Sequence, residues 1–190
     1  MNNEMKQYID SLSPADIPFA RMFTAYGTAE NYPDMLDTLM QTDDEKEWNR
    51  IFKKMHDFEH QSTLFPPAPF VMVFLVRILE KHLKSAPDGE IVKTLLHRIP
   101  YYLDIIKDAE SLEHAEPLAQ FADMLDEQYL LPENCTEDDL DEIFEDPDAV
   151  PDNLFYSFYY YSKAVLSQVP AILDTFGLYP KISAKLKKKL

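Results

Sequence analysis

Residues 56–60 read His56-Asp57-Phe58-Glu59-His60, a literal match to the inverted zincin pattern H-x-x-E-H. On a helix, two histidines four residues apart share one face and could hold zinc, with Glu59 as general base. Such a site also needs a further carboxylate ligand, and a chain with 34 Asp and Glu residues supplies too many candidates to choose one. The competing reading is structural: His60 opens a polar turn, His60-Gln61-Ser62-Thr63, that caps the helix before it and satisfies orphan backbone groups. The structural reading is preferred, so no catalytic residue and no bound metal is expected. A metal-dependent hydrolase using His56, Glu59 and His60 stands as the alternative.

Other chemistry finds little support. Three scattered glycines cannot form a phosphate cradle, which argues against Rossmann and P-loop folds. There is no CxxC and no convincing Ser-His-Asp spacing. The lone Cys135 has no internal disulfide partner, and its acidic surroundings disfavour the thiolate. The acidic run holds Asp138, Asp139, Asp141, Glu142, Glu145 and Asp146, but without the glycine and spacing of a calcium loop. No cofactor is expected. That run could instead dock a basic partner, and Tyr156 and Tyr160 could form an aromatic contact patch on the outward face of their helix.

The elements that would carry these residues are helical. Residues 45–58 place Trp48, Ile51, Phe52, Met55 and Phe58 on one stripe, which predicts an amphipathic helix. Residues 70–83 are apolar except for a strip of Arg77, Glu80 and Lys81, as expected of a central helix, and Pro66, Pro67 and Pro69 suit its start. Further helices are expected near 3–12, 16–26, 33–41, 90–98, 100–109, 115–130, 138–145 and 153–168, with a short one from 170. Gly27, after Tyr26, would cap the C-terminus of helix 16–26. No strand is expected. Even FYSFYYY at 155–161 fits a helix, with Leu154, Phe155, Phe158, Tyr161 and Val165 on one face and Tyr156, Tyr160 and Lys163 on the other.

Charge narrows the partners. The net charge is -16. The last ten residues hold five lysines and no acid, so the first 180 carry 13 bases against 34 acids, a net of -21. Such a body repels nucleic acid and anionic lipid and favours basic proteins. Nine acids without a base lie between Glu133 and Asp148, so 132–153 should be a solvated loop with a short helix. The tail 181–190 should be a frayed end or a last helical turn. The longest uncharged apolar stretch, 64–76, is short and proline-broken, so no membrane span is expected. The N-terminus lacks signal-peptide character, which points to the cytoplasm.

One pattern recurs: Pro33-Leu36-Asp37-Leu39, Pro100-Leu103-Asp104-Ile106 and Pro170-Leu173-Asp174-Phe176, spaced by 67 and 70 residues. A proline in the first turn starts a helix, and 67–70 residues suit two helical hairpins. A single α-solenoid domain over 1–190, with roughly five helix pairs, fits the length.

The segment from Ile17 to Leu83 resembles bacterial HEAT-repeat (armadillo-like) proteins. The residues are Ile17-Pro18-Phe19, Ala25-Tyr26-Gly27-Thr28-Ala29-Glu30, Pro33, Trp48, His60-Gln61-Ser62-Thr63 and Val73-Phe74-Leu75. Ser62 stands where the family has glycine, and Met72-Val73 stand where it has Val-Pro, removing an internal proline. The resemblance implies an all-α right-handed superhelix with a concave binding face. It makes Tyr26, Gly27, Trp48, His60, Gln61 and Thr63 structural motif residues and implies no reaction. The expected function is non-catalytic protein binding, as an immunity or adaptor protein against a basic partner such as a nuclease toxin. A structural or self-associating protein is the third reading.

Overall fold

The computed structural model describes residues 1–146 and 149–190, apart from the side chains of Glu137 and Glu142. Its helices are α1 (Asn3–Ser11), α2 (Tyr32–Gln41), α3 (Glu45–Lys54), α4 (Ala68–Ser85), α5 (Glu90–Glu110), α6 (Glu137–Glu145), α7 (Asp152–Leu166), α8 (Val169–Phe176) and α9 (Pro180–Lys189). Two short antiparallel hairpins interrupt them, β1 (Phe23–Thr24) with β2 (Gly27–Thr28), and β3 (Glu59–His60) with β4 (Thr63–Leu64). The protein is therefore predominantly helical.

The most apolar segment lies at the centre. Helix α4 packs against α2, α5, α7 and α8. From Ala68 to Leu79 only Arg77 escapes full burial. The strip of Arg77 and Lys81 caps other helices. Arg77 donates to the carbonyls of Leu12, at 2.6 Å, and Ile9, at the end of α1. Lys81 donates to Met40 O at 3.1 Å, at the end of α2, and to Asp43 at 2.8 Å. These carbonyls have no partner within their own helices, so the two cations satisfy buried or half-buried acceptors.

A second set of helices, α3, α5 and α9, runs side by side with α5 in the middle. All three point the same way. The Glu45 carboxylate accepts from Glu90 N at 2.7 Å where α3 and α5 begin, and Phe58, just past α3, meets the Tyr102 ring at 5.7 Å further along. Tyr179, just before α9, donates to Pro87 O at 2.6 Å, and Lys189 at its end pairs with Asp104. The lysine tail is thus a docked helix, with Leu186 buried and Lys187 bonded to Asp174 at 2.5 Å.

Several expected helices are absent or altered. Residues 16–26 form 3-10 turns and the first hairpin, and Gly27 sits in that hairpin at φ 140°, not at a helix end. Helix α3 stops at Lys54. Met55 and Phe58 are buried as expected, but through a 3-10 turn. Pro100 lies inside one continuous helix where a break was expected, so only Pro33 and Pro170 of the repeat start helices. An internal proline forfeits one helical hydrogen bond, and burial of Ile99, Pro100, Tyr102 and Leu103 offsets that loss. Residues 115–130 follow an irregular path with two 3-10 turns. Tertiary bonds hold it there: Leu118 N donates to Ser157 Oγ at 2.8 Å, and Tyr161 OH to Leu118 O at 2.6 Å.

Buried His82 is 3% exposed, and its Nε2 has no hydrogen-bond partner among the described residues. Burial, and then the neighbouring Lys81 charge, push its pKa below the ordinary 6.5. The unfolded chain therefore takes up this proton first, and stability falls as pH drops from 6.5 towards the depressed folded value. Urea unfolding followed from pH 7.5 to about 5.5 should show this slope, and His82→Leu should flatten it.

Candidate functional site

The two hairpins lie side by side, which brings the Ala25–Glu30 and His60–Thr63 segments together. Ala25 N donates to Asp57 O at 3.1 Å, and the Tyr26 hydroxyl lies 3.0 Å from His60 Nε2. Beneath them the Asp57 carboxylate joins three elements. One oxygen accepts from Thr24 Oγ1 at 3.0 Å and the other from the Tyr32 hydroxyl, which also lies 3.1 Å from Met55 O. Burial, and then this carboxylate, drive the Tyr32 phenol far above its ordinary pKa, so it acts as a fixed donor.

Helical spacing of the two histidines is lost. His56 sits in a 3-10 turn and His60 on β3, so they share no helix face, contrary to the geometry a zincin-like pair needs. Glu59 is 2% exposed and already engaged: its Oε1 accepts from Tyr101 OH at 2.9 Å and Ser62 N at 3.2 Å. His56 Nε2 lies 3.9 Å from the other carboxylate oxygen. Among the described residues no group of three or more His, Cys, Asp or Glu is arranged to hold a metal ion.

Gln61 and Ser62 form the β3–β4 turn with φ of 49° and 63°. Positive φ at both central residues gives the twist a two-residue hairpin needs, and neither residue is glycine. The Ser62 position thus keeps a glycine-like conformation, with Glu59 holding its N–H. Trp48 is fully buried, stacked on Phe52 at 4.7 Å.

The turn forms one wall of a cleft of about 480 Å³. The other walls are the C-terminal part of α5 with the following loop, and the start of α7. Ile105, Leu112, Phe155, Tyr156 and Tyr159 supply apolar surface; Ser62 and Thr63 line the hairpin side. Leu112 is 70% and Phe155 41% exposed. Asp108, Glu113 and Asp152 stand around them, and among the described residues no Lys or Arg lines the cleft. On α7, Lys163 is held by Glu110 at 2.8 Å. The negative end of the α5 dipole adds to this field. His114 lies flat on Tyr156, ring centroids 3.5 Å apart and planes 10° apart.

The expected outward tyrosine patch is divided. Tyr156 is 8% exposed under His114, while Tyr160, 44% exposed, borders a separate groove beside α1. It is Phe155, assigned to the buried face, that reaches solvent. On α6, Asp138, Asp141 and Glu145 are exposed, as is Asp146 just beyond it. Asp139 accepts from Thr136 N at 2.7 Å and Oγ1 at 2.8 Å, bonds that hold its carboxyl below the usual range. The Glu142 side chain lies outside the described residues. Sequence reading missed the carboxylates of the cleft, Asp108, Glu113 and Asp152, because they come from separate elements and form no run.

No family model, no curated protein and no solved structure matches the chain.

Two substitutions test the paired hairpins. Ser62→Gly should raise unfolding free energy by about 1 kcal/mol by relieving a non-glycine left-handed residue. Tyr32→Phe should lower it by about 1–3 kcal/mol, since Asp57 loses a buried donor. Denaturant midpoints measure both.

Proposed function

We propose that the chain is a non-catalytic protein-binding module of HEAT-like type, in an immunity or adaptor role, which captures a basic protein. The observation that carries this reading is the cleft between α5, α7 and the β3–β4 turn: exposed apolar surface, a carboxylate rim and, among the described residues, no lining Lys or Arg. Such a surface suits a cationic segment with apolar neighbours, and the acidic body would steer it there. The arrangement of helices supports a repeat scaffold. The consecutive pairs α2/α3 and α4/α5, followed by α7 with α8 and α9, would stack as three layers of a right-handed superhelix, fewer than the five the sequence suggested. In that scheme α3, α5 and α9 are the parallel second helices. No helix among the described residues is long and apolar enough to cross a membrane.

A random-sequence peptide library selected on the immobilised protein tests this reading. Lys- and Arg-bearing peptides with apolar neighbours should be enriched, and their binding should weaken as salt is raised. The enrichment should disappear on the triple variant Asp108→Asn, Glu113→Gln, Asp152→Asn. Acidic winners, or equal enrichment on that variant, would reject the reading.

A further inference from the structure

We infer that the cleft is built for an arginine side chain of the partner, whose guanidinium takes the place of the His114 ring over Tyr156, with an apolar neighbour seated on Leu112 and Phe155. The inference rests on the proposed binding of a basic protein and specifies its chemistry.

The chain itself supplies the template. His114 places a flat, nitrogen-bearing ring parallel to the Tyr156 ring at 3.5 Å. Its loop is exposed from Ser111 to His114, and among the described residues the imidazole makes one hydrogen bond, a local one from Nδ1 to Ala115 O at 2.9 Å. This cover can be displaced without disturbing the core. Tyr156 beneath it is fixed in α7, between the buried Leu154 and Phe158.

The surrounding charge selects a cation for the same position. Asp108 and Glu113 line the cleft on one side and Asp152 on the other, while Glu110 and Glu116 lie close enough to raise the Tyr156 phenol pKa, after the larger effect of burial. These carboxylates come from α5, the loop after it and α7, so they approach the cleft from separate elements. A guanidinium meets that layout better than an ammonium. It is planar, stacks on an aromatic face, sheds water more readily and directs five N–H donors outward in its plane. Lysine offers a compact, strongly hydrated charge with no face to stack.

The displacement gives the test its sign. While His114 covers Tyr156, part of the binding energy is spent in moving it, so removing it should strengthen arginine binding. NMR titration of the full chain with the peptide Gly-Leu-Arg-Leu-Gly, and with its lysine and citrulline counterparts, reads this directly. The arginine peptide should shift Leu112, Phe155 and Tyr156 resonances and bind roughly tenfold tighter than the lysine peptide, with citrulline weaker still. His114→Ala should raise arginine affinity several-fold.

Equal binding of the lysine and arginine peptides, or weaker arginine binding by His114→Ala, would overturn the arginine assignment while leaving the basic-protein reading intact. The arginine assignment alone also falls if the cleft resonances stay still with all three peptides although library selection yields basic sequences that need the carboxylate rim. If selection also yields no basic sequences, both readings fall.

Discussion

Burial of α4 is the constraint on which the other elements depend. A helix apolar on nearly every side cannot rest on the surface, because burying such side chains is worth about 1.5–3 kcal/mol each. It must be surrounded, and α2, α5, α7 and α8 surround it. The two cations on its polar strip then have few places to go. Both reach the carbonyl ends of neighbouring helices, so one segment organises the apolar core and also caps α1 and α2.

The cleft depends on that packing through α5 and α7. Both lie against α4, and α7 is tied to the second hairpin by Tyr159 OH, which accepts from Leu64 N at 3.2 Å. The hairpin is braced from below by Glu59 and, through the neighbouring turn, by Asp57. These two acids from the zincin-like run therefore serve the architecture. Their positions are shared among Thr24, Tyr32, Ser62 and Tyr101, residues far apart in sequence. A left-handed Ser62 persists at the cleft wall because this network holds it there.

Much of the helical plan was legible in the sequence. The faces of α3 and α4 and the helical reading of the aromatic run in α7 follow from periodicity, and helices near 33–41 and within the acidic segment were also expected. Failures occurred where a tertiary partner outweighed the local signal. Residues 115–130 have the apolar spacing of a helix, yet Ser157 and Tyr161 bind the backbone of Leu118 and the segment stays irregular. Pro100 carries a strong breaking signal, yet its neighbours are buried deeply enough to keep α5 continuous. The hairpins were invisible because two-residue strands have no alternation to detect.

The amino-acid order by itself settled composition, charge and which stretches had to coil and bury a face, since these depend on neighbours within a turn or two. Only tertiary structure decided that Glu59 and Asp57 would be braces, that Tyr156 would lie beneath His114, and that Asp108, Glu113 and Asp152 would surround one cleft. The physical reason is distance along the chain. A carboxylate's role depends on what comes to face it, and here the facing groups arrive from separate helices whose approach is set by packing around α4.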